Sequence, residues 1–165
     1  MRVLITRHAS AAAKLATLLG AEGFETQLQP LLEIRFDLKP VSLEDVQALI
    51  VTSANGASAL AQSTDERSLT MLVVGGATAS ILEAEGFNRI LTAGGDVESL
   101  IELAAETLSP DAGNLVHISG EHIAGDLAGA MTAKGFSLRR DVLYRAETPT
   151  EMSDATIKSL ADHKI

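Results

Sequence analysis

Leu82-Glu83-Ala84-Glu85-Gly86-Phe87 decides the fold, because the same joint stands at Leu19-Gly20-Ala21-Glu22-Gly23-Phe24 and at Met131-Thr132-Ala133-Lys134-Gly135-Phe136. Each time an apolar helical run closes on Ala, a charged residue, Gly and Phe. Gly enters the left-handed region without steric cost, and the apolar residue behind it packs back on the last turn. A strand-like segment follows each joint. A chain that repeats helix, Gly stop and strand winds a parallel sheet, so the fold class is α/β.

The neighbouring segments extend the pattern in both directions. Val3-Leu4-Ile5 reads as a first strand, Ser10 as a helix cap, and Ala12, Leu15, Ala16 and Leu19 as one helical stripe. Glu25 to Gln29 is a weak second strand, and beyond Pro30 an extended segment runs from Leu31 to Phe36. Ala48-Leu49-Ile50-Val51-Thr52 is a buried strand. Ser53-Ala54-Asn55-Gly56 reads as a turn before a short helix to Ala61. Leu69 to Val74 and Arg89 to Leu91 are further strands, with the helix from Gly75-Gly76 to Gly86 between them. Asp96 caps a helix whose stripe is Val97, Leu100, Ile101, Ala104 and Leu108. Leu115 to Ile118 is a strand and Ser119-Gly120 the turn after it. Ile123, Leu127 and Ala130 carry the following helix to Gly135. Ser137 to Ala146 is extended, and Glu151 to His163 reads as a last helix.

If Leu31–Pro40 and Val142–Pro149 run side by side, one domain is inserted in another. The expected division is a discontinuous first domain of residues 1–36 plus 147–165 and an inserted domain of residues 41–141. Residues 37–40 and 142–146 are the linkers. The first domain then holds two strands and two helices, too little sheet for a covered parallel core. It is therefore expected to be truncated, or completed by a partner chain or a second copy.

The apolar share is 46%, enough for a sizeable core, yet aromatics make only 3%, with no Trp and Tyr144 as the single Tyr. The core must be Ala, Leu, Ile and Val. The 22 acidic against 13 basic residues give a net charge of −9. That disfavours nucleic acid and anionic membranes, which need a basic face. It leaves room for an anionic small molecule held by backbone amides. Without Cys there is no disulfide, zinc-thiolate site or thiol nucleophile. No signal peptide and no run of membrane-span length is visible, and a cytoplasmic protein is expected.

Ligands of open parallel sheets bind at the carboxyl ends of the strands. Here those ends carry Thr6-Arg7-His8, Thr52-Ser53-Ala54-Asn55-Gly56, Gly75-Gly76-Ala77-Thr78, Thr92-Ala93-Gly94-Gly95 and Ser119-Gly120-Glu121. Such turns present N–H groups at helix starts, suited to carboxylate or phosphate, although capping alone would also select Gly, Ser and Thr. Nucleotide motifs are missing: Gly75-Gly76 lacks a third Gly at dinucleotide spacing, and no GxxxxGK[ST] string exists. No metal-helix spacing is present and no metal is expected. His117, inside an apolar strand, reads as a core imidazole and His122 as an exposed first-turn residue. Ser119 lacks a nucleophile-elbow context. Tyr144, beside Arg145 on a linker strand, is either packing or a ligand contact.

The ordered set resembles the uroporphyrinogen-III synthase family over essentially the whole chain. It comprises Val3-Leu4-Ile5-Thr6-Arg7, Gly23-Phe24, Pro30-Leu31-Leu32-Glu33-Ile34, Ala48 to Ala57, Val73 to Ala79, Gly86-Phe87, Gly120, Gly135-Phe136 and Val142-Leu143-Tyr144-Arg145. The resemblance implies two flavodoxin-like parallel-sheet domains, one inserted in the other, the first incomplete in this chain. It implies a hydro-lyase of tetrapyrrole (heme) biosynthesis that needs no cofactor. The substrate would be hydroxymethylbilane, a linear tetrapyrrole with eight carboxylates. It is closed to uroporphyrinogen III with inversion of the terminal pyrrole ring through a spiro intermediate, and water is lost. By the same resemblance Tyr144 assists the departing hydroxyl as proton donor, and Arg7, Ser53, Thr78, Ser119 and Gly120 contact the substrate. The work is chiefly positioning of a flexible chain. The family pattern continues with further strand-helix units beyond the last helix, so this chain is expected to be impaired. The rival readings are a non-catalytic flavodoxin-like module binding an anionic small molecule, and a partner-completed scaffold.

Overall fold

The computed structural model describes residues 1–165 apart from the side chain of Ser10. The backbone helix begins at Ala9 with His8 as its N-cap, so Ser10, expected as the cap, already lies inside the helix. The chain divides into two compact units, Met1–Arg35 with Ala146–Ile165, and Phe36–Arg145.

In the first unit β1 (Arg2–Ile5) and β2 (Glu25–Leu28) are parallel neighbours, joined through α1 (Ala9–Ala21). α6 (Asp154–Ala161) completes this unit. Its inner face is polar. The Gln27 amide donates to Thr156 Oγ1 at 2.9 Å, and Ser159 Oγ donates to Gln27 Oε1 at 2.9 Å. The Ser153 amide donates to Gln29 Oε1 at 2.9 Å. Leu18, Leu28, Ile157 and Leu160 stay exposed.

The second unit holds β4 (Val46–Val51), β5 (Thr70–Val73), β6 (Ile90–Thr92), β7 (Asn114–Gly120) and most of β8 (Leu138–Glu147). With β3 (Glu33–Phe36) they form one sheet in the order β3-β8-β7-β4-β5-β6. The pairs β4/β5, β4/β7, β5/β6 and β7/β8 are all parallel. Numbered in chain order from β4, the five parallel strands run 3-2-1-4-5, a doubly wound order that reverses between β4 and β7 and is not the expected flavodoxin order 2-1-3-4-5. Strand alternation feeds two cores. Leu49, Val51, Met71, Val73, Val116 and Ile118 pack with Leu60 of α2 (Ala54–Ser63) and Leu82 of α3 (Gly76–Ala84). Ala48, Ile50, Leu72 and Leu115 pack with Leu100 of α4 (Val97–Thr107) and Met131 of α5 (Leu127–Ala133). Each fully buried Leu or Ile contributes about 1.5–3 kcal/mol.

The three quoted joints are built alike. Gly23, Gly86 and Gly135 stand at φ 82°, 87° and 88°. The following Phe24, Phe87 and Phe136 amides each donate to the carbonyl five residues back, at Leu19, Leu82 and Met131, all at 3.0 Å. This is the six-to-one bond of the Schellman motif. A fourth joint lacks Gly: His163 stands at φ 52°, with Lys164 N donating to Ser159 O.

Three further local expectations need correction. Ser53-Ala54-Asn55-Gly56 is not a separate turn: Ser53 caps α2, its Oγ accepting from Gly56 N at 3.0 Å, and the next residues are already helical. Ser119-Gly120 is not a turn either. It is the end of β7, kept in the sheet because β8 still pairs there, Gly120 with Tyr144. The helix expected from Ile123 begins only at Leu127. Gly125 turns left-handed at φ 74° and Asp126 caps by accepting from Gly129 N at 2.9 Å, which overrides the apolar spacing and leaves Ile123 exposed. No helix among the described residues is long and apolar enough to cross a membrane.

Candidate functional site

The chain leaves β4 for β5 and β6 on one side and returns to β7 and β8 on the other. The carboxyl ends of β4 and β7 therefore part at a topological switch point, where parallel sheets bind ligands. A cavity of about 500 Å³ opens there. Thr52 and Ser53 after β4, His117, Ser119 and Gly120 of β7, and Tyr144 of β8 line it from the sheet. Asp96 and Val97 at the start of α4 and the exposed segment His122 to Ala124 form its rim.

Tyr144 starts on β8 and ends two strands away. Its OH lies 2.9 Å from Ser53 Oγ, which follows β4. The ring crosses β7 over Gly120, where a Cβ would sit 2.6 Å from Cε2 and 2.7 Å from Cζ. Only a residue without a side chain leaves that room. The strand irregularity between Ser119 and Gly120 helps. Leu138 and Tyr144 would share a face of an unbroken β8, yet Leu138 packs in one core and Tyr144 against the other.

Beneath the ring the end of β7 is heavily bonded. Arg140 Nε donates to Ser119 Oγ at 2.8 Å, and Arg140 Nη2 donates to the carbonyls of Gly120 and, at 2.6 Å, Glu121. Ser119 Oγ in turn donates to Gly120 O at 3.1 Å. His117 is 4% exposed, with Nε2 3.1 Å from Thr52 Oγ1. Burial first, and the neighbouring Arg140 charge second, push its imidazole down to about 4, so it is neutral at physiological pH. No Lys or Arg lines this cavity among the described residues.

The structure brings Ser53, Ser119, Gly120 and Tyr144 to one cavity. Thr78 is buried in the first turn of α3 and does not line it. Arg7 is exposed in the other unit, after β1. Two of the expected anion-accepting helix starts already hold a carboxylate of the chain. Asp96 accepts from Ser99 N at 2.8 Å and from the Ser99 hydroxyl, which hold its carboxyl below the usual range. Asp126 likewise caps α5, accepting from Gly129 N. The sequence pattern marks neither Arg140 nor Thr52 as an individual site residue. Arg139-Arg140 inside an extended run is the visible signal, since charge in a strand needs a partner.

Comparison with known proteins decides the relationship. The family model described as uroporphyrinogen-III synthase HemD matches residues 13–165. The chain belongs to the uroporphyrinogen-III synthase family. The expected family and α/β fold class are thus met. No curated protein sequence matches the chain significantly. Among solved structures, uroporphyrinogen-III synthetase from Helicobacter pylori is 16% identical. The match covers 83% of this chain and 62% of that one, with a TM-score of 0.62. A mutant uroporphyrinogen III synthase from the extremely thermophilic bacterium Thermus thermophilus is also 16% identical, over 100% of this chain and 70% of that one, with a TM-score of 0.61. At such identities the likeness shows the fold. The match spans 62% of the length of the Helicobacter protein. In this member of the synthase family, no group of His, Asp and Glu able to hold a metal ion occurs among the described residues.

Proposed function

We propose that the cavity at the ends of β4 and β7 is the part of a uroporphyrinogen-III synthase site that this chain contributes. The reaction is closure of hydroxymethylbilane with inversion of its terminal ring. Tyr144 is the proton donor to the departing hydroxyl. The observation that supports this reading is the Ser53–Tyr144 hydroxyl pair, 2.9 Å apart, at the switch point of a chain of this family.

The pair lies at the positive end of α2. Gly56 N–H donates to Ser53 Oγ, and in the arrangement this reading uses Ser53 donates on to the Tyr144 oxygen, so that the Tyr144 proton faces the cavity. Each donor in such a series polarises the next. Proton delivery lets water rather than hydroxide leave, and the azafulvene cation remains on the pyrrole. A neutral His117 and an absence of lining Lys or Arg among the described residues do not oppose that charge. The substrate carboxylates would be held outside the cavity. The start of α3, which has no side-chain cap, and exposed Arg7 on its own unit are the candidates. Ser119 and Gly120 shape the floor, and Thr78 packs α3.

We further read the domains as a discontinuous first domain and an inserted second one, and the protein as cytoplasmic. Completion of the first unit by a second copy or partner would cover Leu18, Leu28, Ile157 and Leu160. The deciding experiment is turnover of hydroxymethylbilane with the type I and type III products resolved. An excess of type III supports the reading. Spontaneous type I alone, from folded protein, overturns it for this chain.

A further inference from the structure

We propose that Arg140 is the positioning residue for Tyr144: its guanidinium pins the carboxyl end of β7 so that Gly120 stays beneath the Tyr144 ring and the ring reaches Ser53. The inference rests on the reading of Tyr144 as proton donor for its consequence, but not for its geometry.

Three acceptors converge on this one side chain. Ser119 Oγ is met by Nε, and the Gly120 and Glu121 carbonyls by Nη2. All three belong to the residues where β7 stops, and where its register with β8 shifts. A strand end of this kind has no further ladder to hold it. The one later bond, Glu121 N to Tyr144 O at 2.9 Å, joins the pinned segment to the backbone of Tyr144 itself. Beyond Glu121 the chain is exposed up to Asp126. The guanidinium fork suits the task, because its N–H groups diverge in a fixed plane and charge-assisted bonds to carbonyls are the stronger kind. Lys has one nitrogen and cannot hold Ser119 Oγ from one arm while holding two carbonyls from another.

The clearance under the ring is small, as the 2.6 Å from a Gly120 Cβ to Tyr144 Cε2 shows. A shift of the β7 end by an ångström would push the ring from its place or leave it unsupported. A misplacement of that size costs about 100-fold in rate at a catalytic group.

Tyr144 is the single Tyr in a chain without Trp, so it reports on itself. Arg140→Gln and Arg140→Lys would be compared with the unmodified protein by near-ultraviolet circular dichroism and tyrosine fluorescence anisotropy. Far-ultraviolet dichroism gives the fold control, and exchange of the Glu121 amide gives a backbone readout. The expected result is loss of at least about half of the Tyr144 dichroic band, faster Glu121 exchange and an unchanged far-ultraviolet spectrum, with Arg140→Lys intermediate. Type III formation should fall about 100-fold in Arg140→Gln. A full Tyr144 band in a folded variant would overturn the proposal. Unfolding of both variants would overturn it too, by making Arg140 a residue of the fold. The optical readouts do not depend on turnover, so an inactive parent protein would refute the synthase reading and leave this test standing.

Discussion

Tyr144 reaches Ser53 because the residue under its ring is Gly120, and the consequences of that contact are measurable one residue at a time. Tyr144→Phe keeps the ring and removes the proton. Type III formation should fall by about 10²- to 10⁴-fold, the usual contribution of a general acid, with little change in stability. Ser53→Ala should fall less, since Tyr144 keeps its own proton. Rates equal to the parent in both variants would remove Tyr144 from the chemistry. His117 carries a stability signature. Folded, its imidazole protonates only near 4, while in the unfolded chain it does so near 6.5. Between those values the unfolded chain binds more protons, so stability falls as pH drops through the window, by roughly 3 kcal/mol in full. His117→Gln has no proton to gain there and should flatten that part of the stability profile. An unchanged slope would show that other groups produce it.

At the scale of elements, the helix stops decide stability locally. Gly86 stands at φ 87°, and a methyl group added there would meet nothing within 4 Å, so Gly86→Ala is a test of backbone conformation alone. It should cost about 1–2 kcal/mol, seen as a lower Tm. His163 makes the same motif at φ 52° with a side chain present. His163→Gly should therefore move the other way, by about 0.5–1 kcal/mol, if strain there outweighs the chain entropy that Gly adds. The helices also differ in what holds them. α2 to α5 lie on apolar sheet faces, whereas α6 is held through Gln27, Gln29, Ser153, Thr156 and Ser159. Net gain per such hydrogen bond is about 0.5–1.5 kcal/mol, so α6 is the helix that solvent can replace most easily.

For the whole molecule the net charge of −9 sets a long-range condition. A polyanionic tetrapyrrole approaches against that field, and salt screens it over about 10 Å at 0.1 M. Under the synthase reading kcat/KM should rise as ionic strength is raised from low values. A fall would mean that local cations such as Arg7, rather than the global field, govern encounter. The rise is the opposite of what a basic anion-binding surface gives, so the slope separates the two regardless of its size.

The parallel winding was legible in the sequence because Gly-Phe stops and apolar strand runs act over a few residues, where steric rules have few alternatives. The strand end just before Ser53 was legible for the same reason. Residue types alone also marked Tyr144, as the one aromatic hydroxyl. What the sequence could not show is that β8 pairs on as far as Gly120, turning an expected loop into strand, and that α5 starts late behind Gly125. Nor could it show the crossing of Tyr144 over β7, the grip of Arg140 on the strand end, or the burial of Thr78. Those depend on which strands become neighbours and in which register, and neighbours far apart in the chain are chosen by the packing of the whole sheet.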